Sequence, residues 1–211
     1  MAKKAFMSMS PLKVTVNHKQ LLKEIHVKNA KAMGMELRSI IKPKLERKQE
    51  NLIKKLKAHP ITIEINAGPT AANSSGTLGG YGNLFSFIGF SSGDDPTAII
   101  KQIFSEKIKF KVRRQNNTGK YKITFYIPSV EEIYNLTPLP WASGKSWVDG
   151  IEKGMSNLGS YLYSSSGFAS STSGTGLQAK NKSSGVTTFK TTPYVSKLID
   201  NFKNNLRRLD K

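Results

Sequence analysis

Gly144-Lys145-Ser146 is the run in this 211-residue chain that most nearly ends like a phosphate-binding loop, in which backbone N–H groups cradle phosphates and a lysine neutralises them. The pattern GxxxxGK[ST] needs a glycine at 139 and a buried strand before it. The chain has Leu139 there, within Pro138-Leu139-Pro140-Trp141, so nucleotide binding is not expected. Gly79-Gly80-Tyr81-Gly82 lacks GxGxxG spacing and a surrounding βαβ pattern, and reads as a turn. His18 and His26 are eight residues apart, whereas two ligands on one helix face sit four apart, as in HExxH. With three histidines and no cysteine, a metal centre is not expected, and disulfides, Cys-bound clusters and thiol catalysis are excluded. The adjacent pairs Asp94-Asp95 and Glu131-Glu132 point in different directions. Both stand where a helix start favours negative charge, so they read as helix caps rather than an acid/base pair. No GxSxG elbow or triad is present. The expectation is a protein with no catalytic residue, no metal ligand and no cofactor.

The chemistry that remains is electrostatic. Ile108, Phe110 and Val112 alternate with Lys107, Lys109, Lys111 and Arg113. After a reversal at Gln115–Gly119, Tyr121, Ile123, Phe125 and Ile127 alternate with Lys120, Lys122, Thr124 and Tyr126. Period two places one set on each face, which predicts a β-hairpin with an apolar side and a side bearing Lys107, Lys109, Lys111, Arg113, Lys120 and Lys122. Edge protection against aggregation explains one or two lysines better than six. The basic face is therefore expected to be a docking surface, toward an acidic protein in the first place and DNA in the second.

The elements that position this face follow from periodicity. From about His18 to Lys57 apolar residues fall at steps of three, four and seven, which predicts a long amphipathic helix with a kink or break at Pro43. Ile61, Ile63 and Ile65 alternate with Thr62, Glu64 and Asn66, which predicts a strand after His59-Pro60. Residues 67–83 read as a long Gly/Ser/Asn loop. A short helix is expected after Asp94-Asp95 with Pro96 in its first turn, another over Ser129–Asn135, and a third from Ser146 to about Tyr163. The uncharged Ser/Gly/Thr tract after it predicts a flexible segment. A final helix is expected from Pro193 to Leu209. The domain reading is a core over 1–163, a loop over 164–192 and a C-terminal helix over 193–211. The fold class is α+β, with a long basic N-terminal helix packed on a small antiparallel sheet, short C-terminal helices and long Gly/Ser loops.

Composition fits. Lys and Arg number 33 against 14 Asp and Glu, a formal charge of +19, and residues 1–60 alone hold 15 basic and 4 acidic side chains. Such a balance predicts polyanionic or acidic partners. The longest apolar stretch, Leu84 to Phe90, is broken by Ser86 and Gly89, far short of the roughly 20 residues a membrane span needs. No secretory h-region follows the first residues, so a soluble, non-secreted protein without membrane contact is expected.

Four strings, GTLGGYGNLFSFIGFSSGDDP (76–96), PLPWASGKSWVDGIEKGMSNLGSYLY (138–163), SGTGLQAKNK (173–182) and PYVSKLIDNF (193–202), resemble small structural proteins of tailed bacteriophages. The nearest group is the neck family of tail-completion and head–tail joining proteins. That resemblance implies a non-enzymatic virion subunit, assembled in the host cytoplasm as a homo-oligomeric ring between portal and tail. Its implied partners are other neck and tail subunits, with contact to packaged DNA a further implication. The competing expectation is a nucleic-acid-binding protein using the Lys/Arg-rich helix and hairpin face, although no RRM, KH, zinc-finger or helix-turn-helix signature is present.

Overall fold

The computed structural model describes residues 11–12, 30–78, 83–115, 120–140, 142–154 and 189–208. The chain is α+β and divides into two compact units, neither continuous in sequence. The first comprises Met1–Ile53, Gln102–Ser129 and Ile199–Lys211, and the second Lys54–Lys101 and Val130–Leu198. The expected 18–29 portion of the first helix, the hairpin turn 116–119 and residues 155–188, with most of the expected flexible tract, lie outside the described residues.

The long helix α1 spans Ala30–Lys57. Met33, Leu37, Ile41, Leu45, Leu52 and Leu56 are all buried, at steps of four with one step of seven, so a single stripe faces the core. The break expected at Pro43 does not occur: the helix continues through it. Pro43 lies on the exposed side, where water can replace the N–H that the Ser39 carbonyl lacks. Gly34 faces the Tyr121 ring, and a Cβ there would make ordinary contact with Cε1 at 3.7 Å, so the approach of helix to sheet does not depend on this glycine. Further along, Nε2 of Gln49 donates to the carbonyls of Phe104 and Ser105, and Nζ of Lys48 donates to the Asn205 carbonyl at 2.8 Å. These carbonyls lie in the last turns of two other helices, α4 (Ala98–Glu106) and α7 (Val195–Leu206), where the helix supplies few donors of its own.

The sheet of the first unit has the order β1-β3-β2 and is antiparallel. Strand β2 is Lys109–Arg114, β3 is Tyr121–Tyr126, and β1 is the two-residue strand Pro11–Leu12, paired with Tyr126 and Phe125. The hairpin thus stands as its alternation predicts.

The strand expected over 61–65 is instead helix α2, Pro60–Asn66. Nδ1 of His59 accepts the Ile61 N–H at 3.3 Å and Pro60 occupies the first helical turn, a start signal that outweighs β-branched alternation. Ile61 and Ile65, one turn apart, are buried, while Ile63 is 51% exposed; a strand would have put all three on one side. A 3₁₀ turn at Gly68–Thr70 follows, then helix α3, Leu84–Ile88, capped by Asn83 and stopped at Gly89, where φ is +88°. Helix α4 follows the Asp94-Asp95 pair as expected but begins only at Ala98, so Pro96 lies in the turn before it and not in its first turn. Helix α5, Val130–Asn135, carries Glu131 and Glu132 in its first turn.

Strands β4 (Pro138–Leu139) and β5 (Ala142–Ser146) form an irregular hairpin that periodicity did not reveal, and helix α6 runs over Trp147–Lys153. It ends at Lys153, where Gly154 takes φ +98° and ψ 142° and leaves the helical path, and the expected continuation to Tyr163 lies outside the described residues. The expected loop over 164–192 ends in fixed contacts: Lys190 N–H reaches the Thr77 carbonyl, Thr192 N–H reaches that of Ile151, and the Phe189 ring stacks on Phe87. Helix α7 is shorter than 193–209 and buries Val195, Leu198, Ile199, Phe202 and Leu206.

Candidate functional site

The residue types that could do chemistry are occupied with structure. Gly144 and Lys145 lie in β5, and Oγ of Ser146 caps α6 by accepting from the N–H groups of Val148 and Asp149 at 3.1 and 3.2 Å. Leu139, where a phosphate loop needs glycine, is buried. Asp94 accepts the Ser91 N–H at 2.8 Å. Asp95 accepts from the Thr97 hydroxyl and pairs with Lys101 at 3.3 Å. Burial opposes ionisation of Asp95, but Thr97 and Lys101 together hold its carboxyl below the ordinary range. These two aspartates line a shallow depression of about 280 Å³ with Phe90, Pro96, Ile99, Pro138 and Trp147, and neither is placed as an acid/base partner of the other. Among the described residues no cluster of three metal-ligating side chains occurs, and no helix is long and apolar enough to cross a membrane.

Two carboxylates that the sequence did not single out, one buried and one half-buried, act as clamps in the second unit. Glu64, 1% exposed, accepts the N–H groups of Ser75 and Leu84, both at 2.8 Å, and so ties both ends of the 75–84 loop to α2. Glu152 accepts those of Tyr194 and Ser196 at 2.9 and 2.8 Å, capping α7, and takes the Tyr134 hydroxyl on its other oxygen. Burial first and the Glu152 carboxylate second push the Tyr134 hydroxyl well above its ordinary range, so it stays a donor. Neither acid has a sequence signature, because each works on backbone groups brought in by the fold.

The basic face is built differently. Ile108, Val112, Ile123, Phe125 and Ile127 are buried, each such side chain contributing about 1.5–3 kcal/mol to the fold. That fixes which side of the hairpin faces water. The register sets Lys109 opposite Tyr126, Lys111 opposite Thr124 and Arg113 opposite Lys122 on the outward side. Lys109, Lys111, Arg113 and Lys122 are exposed, and so is Lys120, whose carbonyl closes the turn by accepting the Gln115 N–H. Lys107 departs from the expected set. It is half-buried at the junction of α4 and β2, where its N–H bonds the Ile103 carbonyl. Arg114, opposite Tyr121 at the end of β2, is a further exposed cation that the sequence reading did not include. Among the described residues no carboxylate pairs with Lys109, Lys111, Arg113, Arg114, Lys120 or Lys122. Arg113 facing Lys122 costs about 0.2–1 kcal/mol, a penalty that selection for stability alone does not explain. Gln49 fixes the root of this face by holding the end of α4 from α1.

No family model, no curated protein and no solved structure matches the chain.

Proposed function

We propose that this chain is a non-catalytic assembly subunit of the bacteriophage neck type, a head–tail connector, tail-completion or terminator protein that forms a ring between portal and tail. In this reading it works by presenting surfaces, and the outward face of the β2–β3 hairpin is its electrostatic docking surface. The observation that carries the docking role is the concentration, on the outward face of the β2–β3 hairpin, of exposed cations with no carboxylate partner among the described residues. The virion assignment is supported by the four strings quoted above, and by the use of His59 and Ser146 as helix caps and of Glu64 and Glu152 as clamps.

The reading is tested at the gene and in the particle. Genes flanking the coding sequence should encode portal, terminase and tail subunits, and a setting among cellular metabolic genes would overturn the virion assignment. In particles, Lys109, Lys111, Arg113 and Lys122 replaced together by Gln should leave the protein folded and block head–tail joining. Normal particles from that variant would remove the docking role.

A further inference from the structure

Each side chain on the outward face of the hairpin is a hydrogen-bond donor. Across the register the rows are Lys109–Tyr126, Lys111–Thr124 and Arg113–Lys122, with Arg114 and Lys120 exposed at the turn end. Lysine and arginine only donate, and the Thr124 and Tyr126 hydroxyls can turn to donate as well. The complement of such a face is a surface of closely repeated acceptors, each carrying negative charge. A phosphodiester backbone is that surface, with a charge for every ~3.4 Å of rise along each strand of a duplex. Residues two apart on a β-strand stand about 6.6–6.8 Å apart. Lys109, Lys111 and Arg113 therefore repeat positive charge along the strand as a phosphodiester backbone repeats negative charge.

An acidic protein partner fits less well. Protein interfaces are depleted of lysine at their centres and depend on aromatic or aliphatic anchors. This face offers Tyr126 as its one aromatic and no aliphatic side chain. Among the described residues it carries no Asn, Asp or Glu, and its one Gln, Gln115, stands at the turn end opposite Lys120, so little on this face besides the arginines can read base edges.

We propose that the outward face of the β2–β3 hairpin binds the phosphodiester backbone of nucleic acid without regard to sequence, through Lys109, Lys111, Arg113 and Lys122 with Thr124 and Tyr126. This inference rests on the same docking face as the proposed function and names its ligand.

The test uses the full chain and a labelled random-sequence DNA duplex, with affinity followed by fluorescence anisotropy over about 50–200 mM salt, the range in which phosphate contacts declare themselves. Replacing Lys109, Lys111, Arg113 and Lys122 with Gln should flatten the log–log salt slope by about 3–4 units. Replacing four exposed cations of α1, Arg38, Arg47, Lys54 and Lys55, removes the same charge and should change the slope by less than about one unit. Thermal melts establish that both variants fold. Equal flattening by the two variants would mean that net charge rather than this face binds DNA, and would overturn the proposal. So would poly-glutamate binding as tightly as the duplex with the same loss in the hairpin variant, since the ligand class would then be acidic protein. The gene context is independent of both results: DNA binding at this face in a chain with no virion neighbours would sink the neck reading and leave this inference standing.

Discussion

His59 carries more structure than its solitary place in the sequence suggests. Its Nδ1 accepts the first N–H of α2, its ring lies 4.8 Å from that of Tyr194, and a further hydrogen bond runs to the Pro193 backbone. The neutral ring is the form that fits. Burial first and Lys197 second hold the imidazole below its ordinary range, while Pro193 and Glu152 pull the other way without prevailing. A histidine whose folded pKa lies below its unfolded value binds fewer protons when folded. Its contribution is therefore complete above the unfolded value near 6.5 and is lost as pH falls from there through the folded value. His59→Asn keeps a capping oxygen and removes the titration, so denaturant midpoints measured from pH 8 to 5 should fall less steeply than in the parent chain. Equal slopes would show that His59 is not the group responsible. Glu152 gives a second expectation at this scale. Glu152→Ala leaves the N–H groups of Tyr194 and Ser196 and the Tyr134 hydroxyl without their acceptor and should cost about 2–3 kcal/mol in urea unfolding. A loss below about 0.5 kcal/mol would show that water replaces the clamp.

At the scale of elements, Pro43 makes the sharpest case. It sits inside a 28-residue helix without breaking it, on the exposed face. An interior proline costs about 3 kcal/mol through the missing bond and the ring clash. Pro43→Ala should recover part of that, offset by about 1 kcal/mol because alanine leaves the unfolded chain freer. A net gain of about 1–2 kcal/mol, read as a higher melting temperature, is expected; a lower one would mean that the proline bend is needed for packing. The same helix shows how legible the sequence was. Its stripe and the hairpin could be read because each apolar set repeats over many residues with a single period. Residues 61–65 could not, since isoleucines at i, i+2 and i+4 satisfy a strand fully and a helix through i and i+4. The deciding marks, His59 as cap and Pro60 at the first turn, are local and were outweighed by the alternation. On the candidate site, the outward cations followed from parity. Arg114 and Lys107 did not, because strand ends release side chains from strict alternation. The clamps at Glu64 and Glu152 were illegible for a deeper reason: their partners are backbone groups 11–44 residues away, placed by tertiary structure alone.

For the whole molecule, charge and surface together set the behaviour of the isolated chain. Two copies each carrying +19 repel, and the repulsion reaches about 8 Å at physiological ionic strength and about 30 Å in dilute buffer. Association against that repulsion needs an apolar interface, and stable ones bury about 1,200–2,000 Å² around an apolar centre. Among the described residues the exposed large hydrophobic side chains are Met35 and Ile63, 58% and 51% exposed, one on α1 and one on α2. Two isolated side chains do not make such a patch. The purified protein should therefore scatter light as a single chain at micromolar concentration, and should melt at a higher temperature as salt is raised from dilute to physiological strength and its self-repulsion is screened. Ring formation, in the proposed neck role, then requires a polyanionic or subunit partner that neutralises the basic face first. A ring-sized species from the isolated chain at micromolar concentration, insensitive to salt, would overturn this expectation and point to an apolar interface outside the residues described.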